Sequence, residues 1–243
     1  MRLTAAACLA LAGLAGCTTS DVGGSASSAV AAALADTSRP AADIARDANR
    51  KPGEIVGFAG VEPGDVVAEI APGGGYYTRI LARAVGPQGK VYALMPEFFA
   101  NRPGGLDGIN ALAEQYGNVE VVVVGNYAEL SLAEPVDLVW TTENYHDLAN
   151  GDIGAVNSWA YRTLKPGGTY FVEDHAAPGT GTSATSTLHR IDPAAVTSQV
   201  TSAGFTRQAA SDALRNVDDP HNVNPRELDG RSDRFALRFR KPG

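Results

Sequence analysis

The chain has 243 residues, with 20 Lys and Arg against 27 Asp and Glu, for a formal charge of -7 at neutral pH. This acidic balance, with its bases scattered, argues against nucleic acid as a partner, because phosphate recognition needs clustered Lys and Arg. The length suits one domain that buries a core without disulfide or metal staples. The only cysteines are Cys8 and Cys17, so no later residue offers a thiolate nucleophile or zinc ligand.

The first segment reads as an address. Arg2 is followed by an apolar run from Thr4 to Leu14, too short to span a bilayer, which takes about 20 residues. The run ends in Leu14-Ala15-Gly16-Cys17. This resembles the lipobox of bacterial lipoproteins, which implies cleavage after residue 16 and a lipid on Cys17. Thr18, rather than Asp, follows the cysteine. By the same resemblance, that implies a lipid anchor at the outer membrane, facing the periplasm. Residues 17–36 are small and polar and read as a flexible tether. Residues 37–243 form the domain.

Ser38-Arg39-Pro40 reads as a helix start with Ser38 as N-cap, and a second short helix is expected over 54–59. Val66 to Ile70 reads as a buried strand, Ala71 to Gly75 as a tight loop and Tyr76 to Val85 as a helix. Strands follow over 90–95, 119–124, 136–142 and 169–174, with helices over 106–116, 153–164 and 193–203. Strands near 206–210 and 235–240 end the chain. The continuous apolar run Val119–Val124 suits a central parallel strand covered on both faces. Arg231, Arg234, Arg238, Arg240 and Lys241 read as an exposed edge strand kept soluble by charge. This alternation implies an α/β, Rossmann-like, doubly wound sheet of seven strands, mostly parallel, with an antiparallel C-terminal strand.

Glu69-Ile70-Ala71-Pro72-Gly73-Gly74-Gly75, between strand and helix, resembles the first motif of class I S-adenosylmethionine-dependent methyltransferases. Gly89-Lys90-Val91-Tyr92-Ala93 resembles that family's second strand. Leu164-Lys165-Pro166-Gly167-Gly168-Thr169 resembles its turn before the fifth strand, and Ala203-Gly204-Phe205 its turn before the sixth. The order and spacing also match, over roughly residues 50–242. Asn144 to Asp147, Leu188 to Asp192 and Ser232 to Phe235 are similar to a subgroup of predicted bacterial methyltransferases. The resemblance implies a cofactor, S-adenosylmethionine, held by Glu69, Ala71, Gly73, Gly75 and Tyr76 and by the ends of the next two strands. Tyr76 and Tyr77 suit cofactor stacking or core packing equally.

The match departs at three places. Ala71 stands where the family has Gly, which a negative φ would accommodate. Met95 stands where an acidic residue meets the ribose; Glu97 can replace it if the chain turns at Pro96. Asn126 stands where an acidic residue meets the adenine, and its side-chain oxygen can still accept a hydrogen bond.

Methyl transfer needs positioning and, for an oxygen or nitrogen acceptor, a base. The ends of the fourth and fifth strands carry Glu143 to Asp147 and Glu173 to His175. His146 is the preferred base because His titrates near neutrality; Asp174 and His175 come next. His146, Asp147, Asp174 and His175 also suit zinc, iron or manganese, but nothing in their spacing fixes a geometry, so no metal is expected. His189 and Arg190 read as an anion contact or, more blandly, as a salt bridge with Asp192. His221 reads as a site-mouth or solvated residue. The expected function is methylation of a small molecule. The alternative is a ligand-binding or scaffold lipoprotein that keeps the fold without catalysis. A nicotinamide-dependent enzyme fits the Lys-Pro-Gly-Gly turn and the antiparallel end poorly.

Overall fold

The computed structural model describes residues 22–243, with side chains from residue 28 onward. The expected signal segment and Cys17 lie outside the described residues. The helices are α1 (Val22–Leu34), α2 (Ala41–Ile44), α3 (Asp47–Arg50), α4 (Pro52–Ala59), α5 (Tyr76–Val85), α6 (Glu97–Ala100), α7 (Asp107–Tyr116), α8 (Tyr145–Leu148), α9 (Ile153–Thr163), α10 (Thr185–Leu188) and α11 (Pro193–Ser202). The strands are β1 (Val66–Ile70), β2 (Lys90–Pro96), β3 (Val119–Val124), β4 (Val136–Thr142), β5 (Leu164–His175), β6 (Thr206–Ser211) and β7 (Arg234–Arg240). A single 3-10 turn covers Pro225–Leu228.

The seven strands lie in the order β3-β2-β1-β4-β5-β7-β6. β1 to β5 pair in parallel, and β7 runs antiparallel to both neighbours. The expected fold class is therefore observed. The chain moves outward from β1 through β2 to β3, then returns to place β4 on the other side of β1. That reversal opens a crevice at the carboxyl ends of β1 and β4, where doubly wound sheets bind ligands.

Each face of the sheet carries a helical layer, because alternate strand residues point to opposite sides. Val67, Val91, Trp140 and Phe171 pack with Ile55 of α4 and Ile80 and Leu81 of α5. Ala68, Tyr92, Val172 and Leu237 pack with Val156 and Trp159 of α9 and Val196 and Val200 of α11. Burying each large apolar side chain contributes roughly 1.5–3 kcal/mol.

Four sequence expectations change. The segment expected as a tether over 17–36 becomes helix from Val22, and its Val30 and Ala33 are buried in the α4–α5 layer. The apolar period of this Ala-rich stretch is weak, so its burial depends on the neighbours it meets. Ser38 does not cap a helix; it bonds the carboxylate of Asp36, and α2 starts behind Pro40 without a side-chain cap. β3 is an edge strand, with Val123 at 45% exposure. An apolar run records a capacity for burial, whereas the crossover order decides which strands have two neighbours. β7, expected at the edge, lies inside the sheet between β5 and β6, and Arg234 is buried.

Candidate functional site

The loop after β1 is built for close approach. Gly73 (φ 58°) and Gly75 (φ 82°) adopt left-handed backbone, which glycine tolerates without cost. A Cβ on Gly75 would meet Leu112 Cδ1 at 2.4 Å, whereas one on Gly73 or Gly74 would meet nothing within 4 Å. The loop crest is therefore open, and its base is clamped on α7. Behind it, α5 begins at Gly75 with no side-chain cap, so its first N–H groups face the loop and favour an anion. Ala71 has φ 51°, not the negative value expected. A Cβ in that region costs roughly 1–2 kcal/mol. Ala71→Gly should therefore raise the urea midpoint, by about 0.5–1 kcal/mol of stability. An unchanged or lower midpoint would show that the loop is relaxed as it stands.

Glu69 sits under this loop, buried, with Oε2 lacking any hydrogen-bond partner. Burial pushes its pKa up to about 7, against the pull of Thr78 and Arg79. A buried carboxyl with a free oxygen fits a ligand ammonium. The raised value has a sign. The unfolded chain releases this proton near pH 4.5 and the folded chain near pH 7, so stability falls as pH rises between them. Glu69→Gln removes that loss. The difference in melting temperature between variant and parent should grow in the variant's favour from pH 4.5 to pH 7 and then level. Equal differences at both ends of the window would refute it.

The remaining cofactor candidates divide. Pro96 turns the chain into α6, as Glu97 required, and a Cβ on Gly125 would lie 2.9 Å from Glu97 Oε2. Glu97 thus reaches the end of β3. Met95 does not face the crevice; it is buried with Ala93, Ile109 and Leu112 under α7. Side chains alternate along β2, so a residue one step from the strand end falls on the core face. Asn126 Oδ1 accepts from Ala128 N at 2.9 Å, an Asx turn that occupies the oxygen expected for adenine.

Tyr76 is neither a free stacking platform nor simple core. Its hydroxyl donates to Asp47 Oδ1 at 2.6 Å, and the guanidiniums of Arg46 and Arg50 lie 4.9 and 4.8 Å from its ring centre. It ties α2 and α3 over the glycine loop, helped by Arg39–Asp47 and Arg79–Asp43. Tyr77 is core, packed on Trp140 at 4.9 Å.

Two cavities meet below these helices. One of about 160 Å³ is lined by Glu69, Ala71, Gly73, Gly74 and Tyr76; the other, of about 510 Å³, by His146, Asp147, His175 and His189. Arg46, Arg50, Glu143 and Asn144 line both. Asn144 Nδ2 donates to Ile70, Ala71 and Thr142 carbonyls, joining the ends of β1 and β4. Glu143 has φ 54° and pairs with Arg50 and with Arg234, the latter at 2.8 Å. Burial opposes its ionisation, but Arg50, His175 and Arg234 hold its pKa down at about 2. Arg46 and Arg50 carry no sequence signal and Arg234 reads as part of an exposed edge strand, because only the fold brings the N-terminal helices and β7 to this site.

The catalytic candidates do come together. Asp174 is buried and accepts from His146 N, His146 Nδ1 and His175 N, each at 2.7 Å. Its two oxygens hold the His146 backbone and ring together. Burial lowers the pKa of His146, but Asp174 outweighs this and the net shift is upward. Burial takes the pKa of His175 down to about 4, so it is neutral at pH 7; its Nδ1 bonds Ser232 Oγ at 2.9 Å. Arg190 is fully buried against Asp219, at 2.9 Å, and not against Asp192, which caps α11 and accepts from Gly179 N. His221 bonds Asp233 at 2.9 Å instead of being free in solvent.

No family model matches the sequence, and no curated protein matches it. Solved structures do. The chain superposes on the putative methyltransferase in a Haloferax volcanii complex with the Trm112 methyltransferase activator, at TM-score 0.60 and 18% identity, over 88% of this chain and 98% of that one. It superposes on an S-adenosylmethionine-dependent methyltransferase from Mesorhizobium loti at TM-score 0.59 and 14% identity, over 80% and 99%. It superposes on Aeropyrum pernix fibrillarin, solved with natively bound S-adenosyl-L-methionine, at TM-score 0.53 and 16% identity, over 80% and 76%. With the strand order, the glycine loop and the crevice between β1 and β4, the chain has the Rossmann-like fold of the S-adenosylmethionine-dependent methyltransferases.

Proposed function

We propose that the protein is an S-adenosylmethionine-dependent methyltransferase acting on a small molecule, anchored in the cell envelope through a lipid on Cys17 and facing the periplasm. One observation supports it most: the buried Glu69 carboxyl, with an unpaired oxygen, lies under an open glycine loop at the reversal between β1 and β4. Glu69 would hold the cofactor's ammonium group, the start of α5 its carboxylate, and Glu97 its ribose hydroxyls. When bound, the cofactor supplies an electrophilic methyl group on a sulfonium centre. The chain's own work is positioning. Arg46, Arg50 and Tyr76 line the same cavity as the loop and would shield a bound cofactor from water. The acceptor occupies the larger cavity, where His146, oriented by Asp174, meets its heteroatom.

Calorimetric titration of the protein with S-adenosylmethionine tests this. Saturable binding is expected, weakened about 10–100-fold in Glu69→Gln, the worth of one charge-assisted hydrogen bond. No heat at millimolar ligand would sink the reading and favour the second one, a ligand-binding or scaffold lipoprotein. That alternative draws on Met95 in the core and on Asn126 Oδ1 held by Ala128.

A further inference from the structure

We propose that His146, Asp147 and His189 form a binding site for a single divalent transition-metal ion, with zinc the best fit, on the wall of the acceptor cavity. Candidate ligand atoms of the three residues all lie within 4.8 Å of one another. His146 Nε2 is 3.4 Å from Asp147 Oδ1, and His189 Nδ1 is 3.3 Å from the same oxygen. Zinc bonds of about 2.0–2.2 Å to nitrogen and oxygen place neighbouring tetrahedral ligands about 3.3–3.6 Å apart. Both edges fall in that range. The third edge closes by a swing of the His189 ring, which is partly exposed.

The hydrogen bonding around His146 supports a ligand role. Its Nδ1 faces Asp174 Oδ1 at 2.7 Å. A carboxylate there fixes the proton on Nδ1 and points the Nε2 lone pair outward, as in carboxylate–histidine–zinc arrangements. In this structure Nε2 lies 3.4 Å from a second carboxylate, Asp147. A proton or a metal ion on Nε2 satisfies that carboxylate, so a divalent ion would bind here by displacing the proton. By sequence no metal is expected, and Asp174 and His175 group with His146 and Asp147 as the residue types that suit one. The structure commits Asp174 to orienting His146 and turns His175 Nδ1 to Ser232, while α10 brings in His189 from the following turn. Three protein ligands leave a fourth position for water or for an acceptor heteroatom on the cavity side, the pattern of open zinc sites. Resting on the methyltransferase reading, the inference is that the acceptor is an oxygen, nitrogen or sulfur compound activated by coordination rather than by His146 as a free base.

The test is titration of the full chain with Zn²⁺ against a chromophoric chelator, with no S-adenosylmethionine present. One equivalent should bind. Asp174→Asn, which removes no ligand, should weaken binding about 10–100-fold. His146→Gln and Asp147→Asn should weaken it further. His189→Asn is the control for folding, since Asn tolerates the left-handed backbone at this position (φ 52°). It should abolish stoichiometric binding while its unfolding in chelator matches the parent. Co²⁺ in place of Zn²⁺ should show visible d–d bands without a thiolate charge-transfer band, which separates this site from Cys8 and Cys17. Absence of saturable binding, binding unchanged in His189→Asn, or a thiolate band would each overturn the proposal. The methyltransferase reading is judged separately, by S-adenosylmethionine titration of chelator-treated protein.

Discussion

Replacing Asp174 with alanine should destabilise the protein by about 3–5 kcal/mol, the range for removing one partner from a buried charged pair. The side chain is fully buried and gathers three donors, the His146 backbone N–H and ring and the His175 backbone N–H. The two His146 donors are buried and the His175 N–H half-buried, so leaving them unpaired carries a desolvation cost. Asp174→Asn should cost less, because the amide keeps an acceptor oxygen in the same shape. Denaturant unfolding of both variants gives the comparison. A loss under about 1 kcal/mol for the alanine variant would show that other acceptors reach these donors. On the proposed function the effect extends to activity. Without Asp174, the His146 ring loses its fixed tautomer, so the asparagine variant should lose activity out of proportion to its stability.

Arg190→Met should cost a similar amount, about 3–5 kcal/mol. The guanidinium is buried and donates to Asp219, to the Ala176 carbonyl and to the Val223 carbonyl. Asp219 also accepts from the His221 and Asp233 backbone N–H groups. Removing Arg190 strands a buried carboxylate at the hub of the loop that carries His221. The double variant Arg190→Met with Asp219→Asn should recover part of the loss, since it leaves no buried charge unpaired while the amide oxygen still serves one of the two backbone donors. Additive losses in thermal unfolding would show that the pair is not coupled. This network also explains why Arg190 is not an anion site: its donors are spent inside the protein.

Much of the fold was legible in the chain. Tyr76–Val85 matches α5 at both ends, and the first four strands fall where β-branched runs and glycine turns put them; β5 starts earlier than expected, at Leu164, because the segment read as a turn pairs with Val136 and Lys241. These signals are local, because a period of two or of 3.6 and a turn glycine act within a few residues. The site was legible only where it lies next to such a signal. Glu69 lies near the end of β1 with the glycine loop behind it, Asp174 lies near the end of β5, and His146 sits in α8 just after β4. Arg50 carries no local mark, and His189 and Arg234 stand in stretches that a resemblance singled out, but no spacing rule brings any of them to that loop.

The sequence by itself determined the order of strands and helices, the glycine loop and the residue types available for chemistry. It also carried an expectation for residues 1–17 that lies outside the described part of the structure. Tertiary structure decided which strands became edges, placing β3 outside and β7 inside. It turned Met95 into core and Tyr76 into a latch for the N-terminal helices. It also chose among the imidazoles and carboxylates, giving Asp174 to His146 and bringing Asp147 and His189 together. The physical reason is that hydrogen bonds and ion pairs reach only a few ångströms, and which groups come that close depends on crossovers that no short stretch of sequence encodes.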